Sequence, residues 1–321
     1  MAHFSNGRLQ RLRVAVLAGG DSRERDISLE SGCAVVRTLT VRGHRVTLID
    51  PAQVNLLEYD WNGFEVAFLA LHGTFGEDGQ VQQILDEIGI PYTGSNADAS
   101  RLAFSKSASK ERFLQFGVPA PPYVLIHESD DAARIQQHAR SIGYPLVIKP
   151  DAQGSSLGVS IVESPEQLPQ AISRCFHYDS FGLIEAAVCG TEWTVGLLDD
   201  RLLPPILIET DRPFFDFTAK YEDNATRYVF EFDVPANVVK AIENAARNAC
   251  DALGTRGLVR VDLRLDSLER PWVLEVNTIP GLTNHSLIPK AAAKTGLSLG
   301  QLCEQTISSC LAMRETHPQS R

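Results

Sequence analysis

The sequence predicts a fold that is α/β in its first part and α+β in the remainder. Three observations lead to this prediction. In the first hundred residues, short apolar runs of strand type alternate with a helical pattern, which is typical of a parallel α/β layer. A proline-rich stretch at residues 118–122 marks a break between units. In residues 260–266, polar and apolar side chains alternate, as in a strand with one buried face.

The N-terminal elements follow from the positions where the apolar runs end. Gly19-Gly20 ends the first strand, Gly43 stops the first helix, and His72-Gly73 follows the third strand. In parallel sheets ligands bind beyond the carboxyl ends of the strands, so both strand ends are candidate binding positions. The predicted elements are strands at residues 13–18, 46–49 and 66–71 and a helix at residues 28–42.

Beyond the proline-rich stretch, the pattern predicts a compact α+β unit and then a strand-rich part. In the compact unit, strands are predicted at residues 123–126, 146–149 and 159–162, with helices at residues 130–142 and up to residue 176. In the strand-rich part, strands are predicted at residues 183–185, 191–198, 202–208, 258–266 and 272–276, with helices at residues 237–253 and 299–313. The sequence contains no internal repeat and no low-complexity segment.

Composition restricts the class of protein. The 321 residues carry a net charge of −10, which argues against broad nucleic-acid binding because such binding needs a basic surface. No apolar run approaches the roughly 20 residues that a bilayer span requires, and the polar first ten residues do not resemble a signal peptide. Six cysteines without a Cys-x-x-Cys pair fit reduced thiols better than disulfides or structural zinc. We therefore expect a cytoplasmic protein that binds neither nucleic acid nor membrane.

A hairpin in the last quarter of the chain carries candidate metal ligands. Residues 260–266 alternate polar and apolar side chains without a miss, so Asp262 lies on the polar face. After a turn, residues 272–277 form the second strand and place Glu275 and Asn277 on one face, within reach of Asp262. Two carboxylates and an amide oxygen suit magnesium, which keeps several waters and takes other ligands from substrate phosphates.

An exposed sheet face with solvated charges is the competing interpretation of this hairpin. Two neighbouring features favour the metal site. Arg260 flanks Asp262, and the second strand runs into the turn Thr278–Gly281. A glycine in that turn lets backbone N–H groups approach a ligand closely. The sequence therefore predicts a magnesium site for phosphoryl transfer at this hairpin.

Residues Gln153–Gly158 form a glycine- and serine-rich loop between two predicted strands. Its N–H groups and hydroxyls can surround phosphate oxygens, although the loop lacks the Lys-Ser/Thr end of a P-loop and could be a plain turn. Lys149 favours the phosphate interpretation, because it ends an apolar strand directly before Pro150, where a lysine needs a partner such as a phosphate. Lys106 and Lys220 are further candidates, although either alone could be a surface lysine.

Nearly the whole chain, from about Val14 to Leu311, carries motifs whose order and spacing are specific. They are Ala18-Gly19-Gly20 with Ser22, Glu24 and Ser28; Leu71-His72-Gly73 with Gly76-Glu77-Asp78-Gly79; Pro91-Tyr92-Thr93-Gly94-Ser95; Ile148-Lys149-Pro150 with Gly154-Ser155-Ser156-Leu157-Gly158; Ala219-Lys220-Tyr221; Arg260-Val261-Asp262; and Glu275-Val276-Asn277-Thr278 with Pro280-Gly281-Leu282-Thr283 and His285-Ser286-Leu287. Taken together, these motifs resemble those of the ATP-grasp enzymes and, within them, of the D-alanine–D-alanine ligases.

The resemblance implies a three-domain ATP-grasp architecture. Residues 1–96 would form a parallel α/β substrate domain, residues 97–186 a small central α+β domain, and residues 187–321 a catalytic domain with a mainly antiparallel sheet and helices. ATP would lie between the second and third domains, with two Mg²⁺ (or Mn²⁺) ions held at Asp262, Glu275 and Asn277. The residues implied for ATP are Glu185 and Val188 at the adenine, Glu192 at the ribose, and Lys106, Lys149, Lys220 and Ser156 at the phosphates.

The resemblance also implies the reaction, which is the ligation of two D-alanines through an acyl phosphate for peptidoglycan precursors. Glu24, Ser155 and Tyr221 resemble a hydrogen-bonded trio that orients the first D-alanine and closes a flexible loop. Without the resemblance, Glu24 would be interpreted as an acid at a helix N-terminus and Tyr221 as an ordinary loop residue. His72 would lie near the first substrate, although a histidine at a strand end is as often structural.

The remaining implied residues belong to the amide-forming step. Arg260 and the N–H group of Gly281 would stabilise the tetrahedral oxyanion. Ser286 and the neighbouring backbone at Leu287 would hold the carboxylate of the second D-alanine. Closure of the loop would keep water from the acyl phosphate. By family habit the protein would be a homodimer.

The sequence departs from the family pattern at several positions. Ser105 precedes Lys106 where the family usually has an aspartate, which weakens the assignment of Lys106. Phe217 replaces a frequent tyrosine, and Val234 stands where a cysteine usually precedes the proline. The segment from residue 221 to residue 236 is several residues longer than usual. The geometry of the mobile loop and the choice of second substrate are therefore the least defined features.

Three alternative functions differ in their chemistry. A related ligase could use D-lactate or D-serine, but a depsipeptide-forming enzyme would carry histidine where Tyr221 stands. A catalytically silent nucleotide-binding regulator could keep Lys149 and the glycine-serine loop, but would not need Glu24, Arg260 and the metal ligands. A dinucleotide-dependent oxidoreductase is disfavoured because Gly19-Gly20-Asp21-Ser22 is not Gly-x-Gly-x-x-Gly.

Overall fold

The computed structural model describes residues 4–5, 8–211 and 225–316 of the chain. Lys220 and Tyr221, two of the predicted site residues, lie outside the described residues, as does Phe217. Within the described ranges, no helix has both the length and the apolar character needed to cross a membrane. A short antiparallel pair of strands, β1 (Phe4–Ser5) and β2 (Arg8–Leu9), precedes the first large sheet.

The N-terminal part is a parallel sheet with apolar packing on both faces. Its strands are β3 (Arg13–Leu17), β4 (Arg45–Ile49) and β5 (Val66–Leu69), in the order β4-β3-β5, with α1 (Arg25–Val41) between the first two. Val14 and Val16 of β3 pack in one apolar cluster with α1, whereas Ala15 and Leu17 pack in a second cluster on the opposite face. Burial on both faces explains why β3 is an unbroken apolar run. This layer confirms the predicted parallel α/β start.

Three helices follow that the sequence pattern did not predict. They are α2 (Gln80–Ile88), α3 (Ala97–Phe104) and α4 (Lys106–Phe116). Asn96 and Ser105 cap α3 and α4, because each side chain accepts a hydrogen bond from a backbone N–H in the first turn. The buried positions of α4 include Lys106, Ser109 and Lys110, so an apolar period is absent from its sequence.

The middle part is an antiparallel sheet covered by two helices. Its elements are β6 (Tyr123–His127), α5 (Ala132–Ile142), β7 (Leu146–Pro150), β8 (Ser160–Val162), α6 (Leu168–Phe176) and β9 (Phe181–Ala186), with strand order β6-β9-β7-β8. Ile126, Ile148 and Ile184 pack against the helices in one apolar cluster. The opposite face of β7 and β9 carries Lys149 and Glu185.

The C-terminal part is built on the largest sheet. Its elements are β10 (Gly190–Leu198), β11 (Arg201–Leu202), β12 (Ile206–Glu209), β13 (Arg227–Val229), α7 (Ala236–Leu253), β14 (Leu258–Asp266), β15 (Pro271–Asn277), α8 (Leu287–Lys294) and α9 (Leu299–Thr316). The strands lie in the order β13-β12-β10-β14-β15 and pair antiparallel, with β11 attached to β10. Phe113 of α4 packs into the same apolar cluster as Trp193 of this sheet.

One predicted strand is wrong. Residues 202–208 do not form a single strand, because β11 ends at Leu202 and β12 begins at Ile206. Pro204 and Pro205 lie between them and have no backbone N–H to donate to a ladder. Apart from this break, the parallel layer, the small sheet and the larger antiparallel sheet agree with the predicted α/β and α+β class.

Candidate active site

The hairpin of β14 and β15 brings the predicted metal ligands side by side. Asp262 pairs with Glu275, and Arg260 pairs with Asn277. Directly opposed residues of an antiparallel pair project to the same face, so these four side chains share one face. The shared face agrees with the alternation in the sequence.

A β-bulge alters this hairpin beside the site. The register shifts after Asp262, because Leu263 pairs with Val273 and leaves Leu274 as an extra residue. Val273 and Val276 are buried in the core of the sheet, whereas Leu274 and Glu275 both line a cavity. Strict alternation would have put Leu274 and Glu275 on opposite faces. Bulges often re-aim side chains next to active sites, and this one adds an apolar surface beside a carboxylate.

A cavity of about 510 Å³ lies between the middle sheet and this hairpin. Ligand-binding clefts in proteins fall in this size range. Apolar side chains from β7, β8 and the bulge form part of its wall, including Val147, Ile161 and Leu274. The cavity is lined by every described residue that was predicted to bind ATP, together with two predicted metal ligands: Lys106, Lys149, Ser156, Glu185, Val188, Glu192, Asp262 and Glu275.

Lys149 has the partner that the sequence required, but this partner is a carboxylate. Its Nζ donates to Oε1 of Glu185 at 2.9 Å, and both side chains are buried. Lys110 lies on the other side of this carboxylate, with Nζ 2.6 Å from Oε2. Because two lysines surround Glu185, its pKa is lowered even though burial by itself raises it.

Asp151 compensates for the missing aspartate before Lys106. Its carboxylate accepts a hydrogen bond from Oγ of Ser105 at 2.8 Å and from the N–H of Ser107 at 2.7 Å. An acid therefore still lies at the N-terminus of α4, where the helix dipole favours it. Lys106 remains buried, donates from Nζ to the carbonyl of Gln153 at 2.6 Å, and lies 3.6 Å from Oε2 of Glu275. The departure at Ser105 does not displace Lys106 from the cavity.

The glycine-serine loop approaches Glu24 of the N-terminal layer. The hydroxyl of Ser155 donates to Oε1 of Glu24, and both groups are buried. Ser155 and Ser156 have φ angles of 50° and 57°, which are uncommon for residues with a side chain. A Cβ at Gly154 would lie 2.5 Å from Oε2 of Glu24, so a larger residue here would require the Glu24 carboxylate to move. Two members of the predicted trio are thus in contact, and Tyr221 lies outside the described residues.

A second, smaller cavity of about 50 Å³ lies beside the first. Lys106, Gln153 and Glu275 line both cavities, so the two spaces share a wall. Five of the residues predicted for the two ligation substrates line the smaller one, together with the predicted metal ligand Asn277: Glu24, His72, Ser155, Arg260 and Gly281.

Buried ionisable groups give the smaller cavity a polar character. Burial and, to a lesser extent, the nearby charge of Arg260 lower the pKa of His72 to about 4, so His72 is neutral near pH 7. Its Nε2 lies 3.2 Å from Oγ of Ser31. Burial, followed by the charge of Glu24, raises the pKa of Glu77 well above its usual value. Glu77 accepts a hydrogen bond from the N–H of Gly73 at 2.8 Å.

Ser286 and Leu287 lie at the edge of this cavity, at the start of α8. A Cβ at Gly281 would lie 2.9 Å from Oγ of Ser286 and 4.0 Å from Nε2 of His72, so the three residues are adjacent. Ser286 is the N-cap of α8, and the side chain of Leu287 is buried in the core. Only the backbone of Leu287 can therefore meet a ligand. Helix N-termini bind carboxylates well, which fits the predicted second substrate.

The chemistry of Asp262, Glu275 and Asn277 fits magnesium. Each of their oxygens can accept more than one contact, so the partners they have within the protein do not exclude a metal. Asp262 accepts from Arg260 and from Oγ1 of Thr194 at 2.7 Å, which fixes its orientation. Among the described residues, no group of three or more His, Cys, Asp or Glu side chains forms a metal cluster. The candidate set has two carboxylates and an amide, and phosphate oxygens and waters would complete it.

Several site residues were missed by reasoning from the sequence. Glu77 belongs to the motif Gly76-Glu77-Asp78-Gly79, but no role was predicted for it. Its burial next to Glu24 identifies it as a residue of the smaller cavity. Lys110 and Asp151 have no local sequence signal, because their partners lie 75 and 44 to 46 positions away along the chain. Leu274 depends on the bulge, which strand alternation does not predict.

Comparison with known families decides the relationship. The family model described as the D-ala D-ala ligase C-terminus matches residues 113–308, and the one for the D-ala D-ala ligase N-terminus matches residues 50–95. The chain is 41% identical over 304 residues to a D-alanine–D-alanine ligase of Gloeobacter violaceus, covering 94% of this chain and 100% of that protein. A ligase of the same name from Alkalilimnicola ehrlichii is 43% identical, covering 91% and 92%. This chain belongs to the D-alanine–D-alanine ligase family.

Solved structures agree with this relationship. The D-alanine–D-alanine ligase of Bacillus anthracis complexed with ATP has a TM-score of 0.84 and 30% identity, covering 95% of this chain and 99% of that one. The VanG D-Ala:D-Ser ligase of Enterococcus faecalis has a TM-score of 0.81 and 28% identity, covering 93% and 99%. The ATP-grasp fold and the identification as an ATP-dependent ligase, expected from the motifs, are confirmed.

Proposed function

We propose that this chain joins two D-alanines to D-alanyl-D-alanine, with conversion of ATP to ADP and phosphate, and that the dipeptide enters peptidoglycan precursors. The observation that carries this proposal is the shared wall of the two cavities. Lys106, Gln153 and Glu275 separate a nucleotide-sized space from a small polar one. A phosphoryl group bound in the first can reach a carboxylate bound in the second. The enzyme would act in the cytoplasm, as a homodimer.

In the larger cavity, the apolar wall and the hinge at Val188 would hold the adenine of ATP. Glu192 would meet the ribose, and Lys106, Lys149, Ser156 and Lys220 would meet the phosphates. Asp262, Glu275 and Asn277 would hold two magnesium ions, which supply positive charge to the phosphate oxygens when bound. With domains at residues 1–96, 97–186 and 187–321, this cavity would lie at the junction of the second and third.

The first step transfers the phosphoryl group. Glu24 and Ser155, joined by Tyr221, orient the first D-alanine in the smaller cavity. One oxygen of its carboxylate forms a bond to the γ-phosphorus as the bond from that phosphorus to the ADP oxygen breaks. The products are D-alanyl phosphate and ADP. Lys106 lies where it can balance the charge of the transferring oxygens, since its Nζ is held at the shared wall.

The second step forms the amide. The uncharged amine of the second D-alanine attacks the carbonyl carbon of the acyl phosphate and produces a tetrahedral oxyanion. The guanidinium of Arg260 and the N–H of Gly281 stabilise that oxyanion. The intermediate expels inorganic phosphate and loses a proton from the nitrogen. Ser286 and the backbone at Leu287 hold the carboxylate of the second substrate.

The test is phosphate release from Mg-ATP with D-alanine, with the product identified by its mass. D-Lactate, D-serine and L-alanine are compared as second substrates. The proposal predicts D-alanyl-D-alanine as the main product, in amounts equal to the phosphate released. Phosphate release without D-alanyl-D-alanine would contradict it, and a mixed product from D-serine or D-lactate would change the second substrate alone.

A further inference from the structure

Lys110 is a buried cation that the proposed mechanism does not use. It lies on α4, and its side chain is 2% exposed. Its Nζ lies 2.6 Å from Oε2 of Glu185 and donates to the carbonyl of Pro121 at 3.1 Å. Lysine is almost never buried to this extent unless its charge is paired. The Glu185 carboxylate therefore explains how Lys110 is tolerated, but not what Lys110 contributes.

Lys110 and Lys149 approach the carboxylate of Glu185 from different sides. Lys149 binds Oε1 and lines the larger cavity together with Glu185. Lys110 binds Oε2 and does not belong to the described residues that line that cavity. Lys110 therefore acts on a bound ligand only through Glu185.

The charges of these three groups do not cancel. Two ammonium groups and one carboxylate leave a net charge of one positive unit on the cavity wall. Without Lys110, the buried pair of Lys149 and Glu185 would be neutral. A charge beside a poorly hydrated cavity acts more strongly on a phosphate than the same charge at a surface.

We propose that Lys110 is a positioning residue for the nucleotide phosphates. It neutralises Glu185 from behind the cavity wall, so that the positive charge of Lys149 stays available to a phosphate group. The inference rests on the proposed function, because it requires a nucleotide in the larger cavity. It predicts that Lys110 matters more for ligands with phosphates than for the nucleoside part, whose adenine Glu185 would contact.

The surroundings of Lys110 also predict a pH dependence. Burial lowers its pKa, Glu185 opposes this shift, and the charges of Lys149 and Lys106 add to it, which leaves the pKa at about 8. As the pH rises through about 8, Lys110 loses its proton, the cluster loses its net charge, and phosphate binding weakens. The groups that face Lys110 are Glu185 on β9, Lys149 on β7, Lys106 on its own helix, and Tyr123 on β6, whose ring centroid is 5.5 Å from Nζ and whose hydroxyl donates to Glu111.

The test compares the binding of Mg-ADP and of adenosine by calorimetry, without D-alanine. Lys110→Met is expected to weaken Mg-ADP binding about tenfold, the scale of one screened charge interaction, and to weaken adenosine binding much less. Lys110→Arg keeps the charge, so it should bind Mg-ADP like the wild type and move the alkaline loss of binding to higher pH. The matched control Lys240→Met changes an exposed lysine on α7 and should alter neither ligand.

Three results would overturn the inference. Equal loss of adenosine and Mg-ADP in Lys110→Met would mean that the variant distorts the cavity and that Lys110 is merely structural. Unchanged Mg-ADP binding in a folded Lys110→Met would mean that its charge has no role. If Lys110→Met does not fold, the pH dependence of Mg-ADP binding decides the question. Weakening of Mg-ADP binding over the same alkaline pH range in Lys110→Arg and in the wild type would also reject the inference. Failure of the proposed function is a separate observation, namely wild-type protein that binds Mg-ADP but forms no D-alanyl-D-alanine.

Discussion

The two cavities differ in volume and in the side chains that line them. The larger one, of about 510 Å³, combines apolar residues with lysines, whereas the smaller one, of about 50 Å³, is lined mainly by polar and charged groups. The wall of the larger cavity suits a planar base with phosphates attached. The wall of the smaller cavity suits a zwitterion of few atoms. The face of one hairpin borders both cavities. Two kinds of binding chemistry therefore meet at Glu275 and Lys106, which line both.

The largest effect is expected from a change in the shared wall. Glu275→Gln keeps the shape of the side chain but removes a charge that would bind metal. We expect turnover to fall about 10²–10³-fold, or about 3–4 kcal/mol, with the fold intact by circular dichroism. Glu269→Gln, on the exposed turn of the same hairpin, is the control and should behave as wild type. Turnover equal to wild type in Glu275→Gln would remove Glu275 from the metal site.

The burial of His72 beside the smaller cavity can be tested through the pH dependence of protein stability. Its pKa in the folded chain is about 4, below the ordinary 6.5, so the unfolded chain binds a proton in this range that the folded chain does not. Stability is therefore full above pH 6.5 and falls as the pH drops toward 4, by about 3 kcal/mol from this group. Glu77 acts in the opposite direction, because its raised pKa costs stability as the pH rises above 4.5.

Denaturant unfolding between pH 7 and pH 4.5 measures the effect of His72. His72→Asn should flatten the acid-side loss of stability, whereas His177→Asn, which changes an exposed histidine, should keep the wild-type slope. An unaltered slope in His72→Asn would mean that the smaller cavity is wet enough to accommodate a charged imidazole.

Glu24→Gln separates the two cavities, because Glu24 lines only the smaller one. The glutamine keeps a group near Ser155 but loses the charge that would orient an ammonium. The KM for D-alanine should rise about tenfold, equal to about 1.4 kcal/mol, with Mg-ADP binding unchanged. Asp26→Asn, an exposed acid on α1, is the control. Equal weakening of both ligands would show that the cavities are not independent.

The fold was predictable where one face of a strand is apolar. The alternation in residues 260–266 located the first strand of the hairpin and placed Arg260 and Asp262 on one face, because side chains in a strand alternate faces with a fixed period. The helix α4 was not predictable in this way, since Lys106, Ser109 and Lys110 are buried polar residues with partners far along the chain. The pattern also missed the bulge at Leu274, which depends on pairing between strands.

Ser105 shows the same limit at the candidate site. From the sequence alone, the missing aspartate weakens the assignment of Lys106. The acid that replaces it is Asp151, which follows β7 of the middle sheet and is distant in the sequence. Only the hydrogen bond of 2.8 Å between Ser105 and Asp151 shows that a carboxylate still lies beside the start of α4.

The pairing of Ser105 with Asp151 leads to the prediction with the smallest expected effect on activity. Ser105→Asp places two carboxylates against each other and should raise the KM for ATP about fivefold, or about 1 kcal/mol, through displacement of Lys106. The double change Ser105→Asp with Asp151→Ser restores one acid and one hydroxyl and should recover most of the loss. Additive effects of the two changes would show that Asp151 does not act at the start of α4.

The central claim is that a carboxylate in the smaller cavity attacks the γ-phosphate of ATP in the larger one. D-Alanine labelled with ¹⁸O in its carboxylate tests it most directly, with the inorganic phosphate analysed by mass spectrometry after turnover with Mg-ATP. Transfer to the phosphorus predicts one ¹⁸O atom in each phosphate released. Phosphate without ¹⁸O, formed together with D-alanyl-D-alanine, would contradict the account.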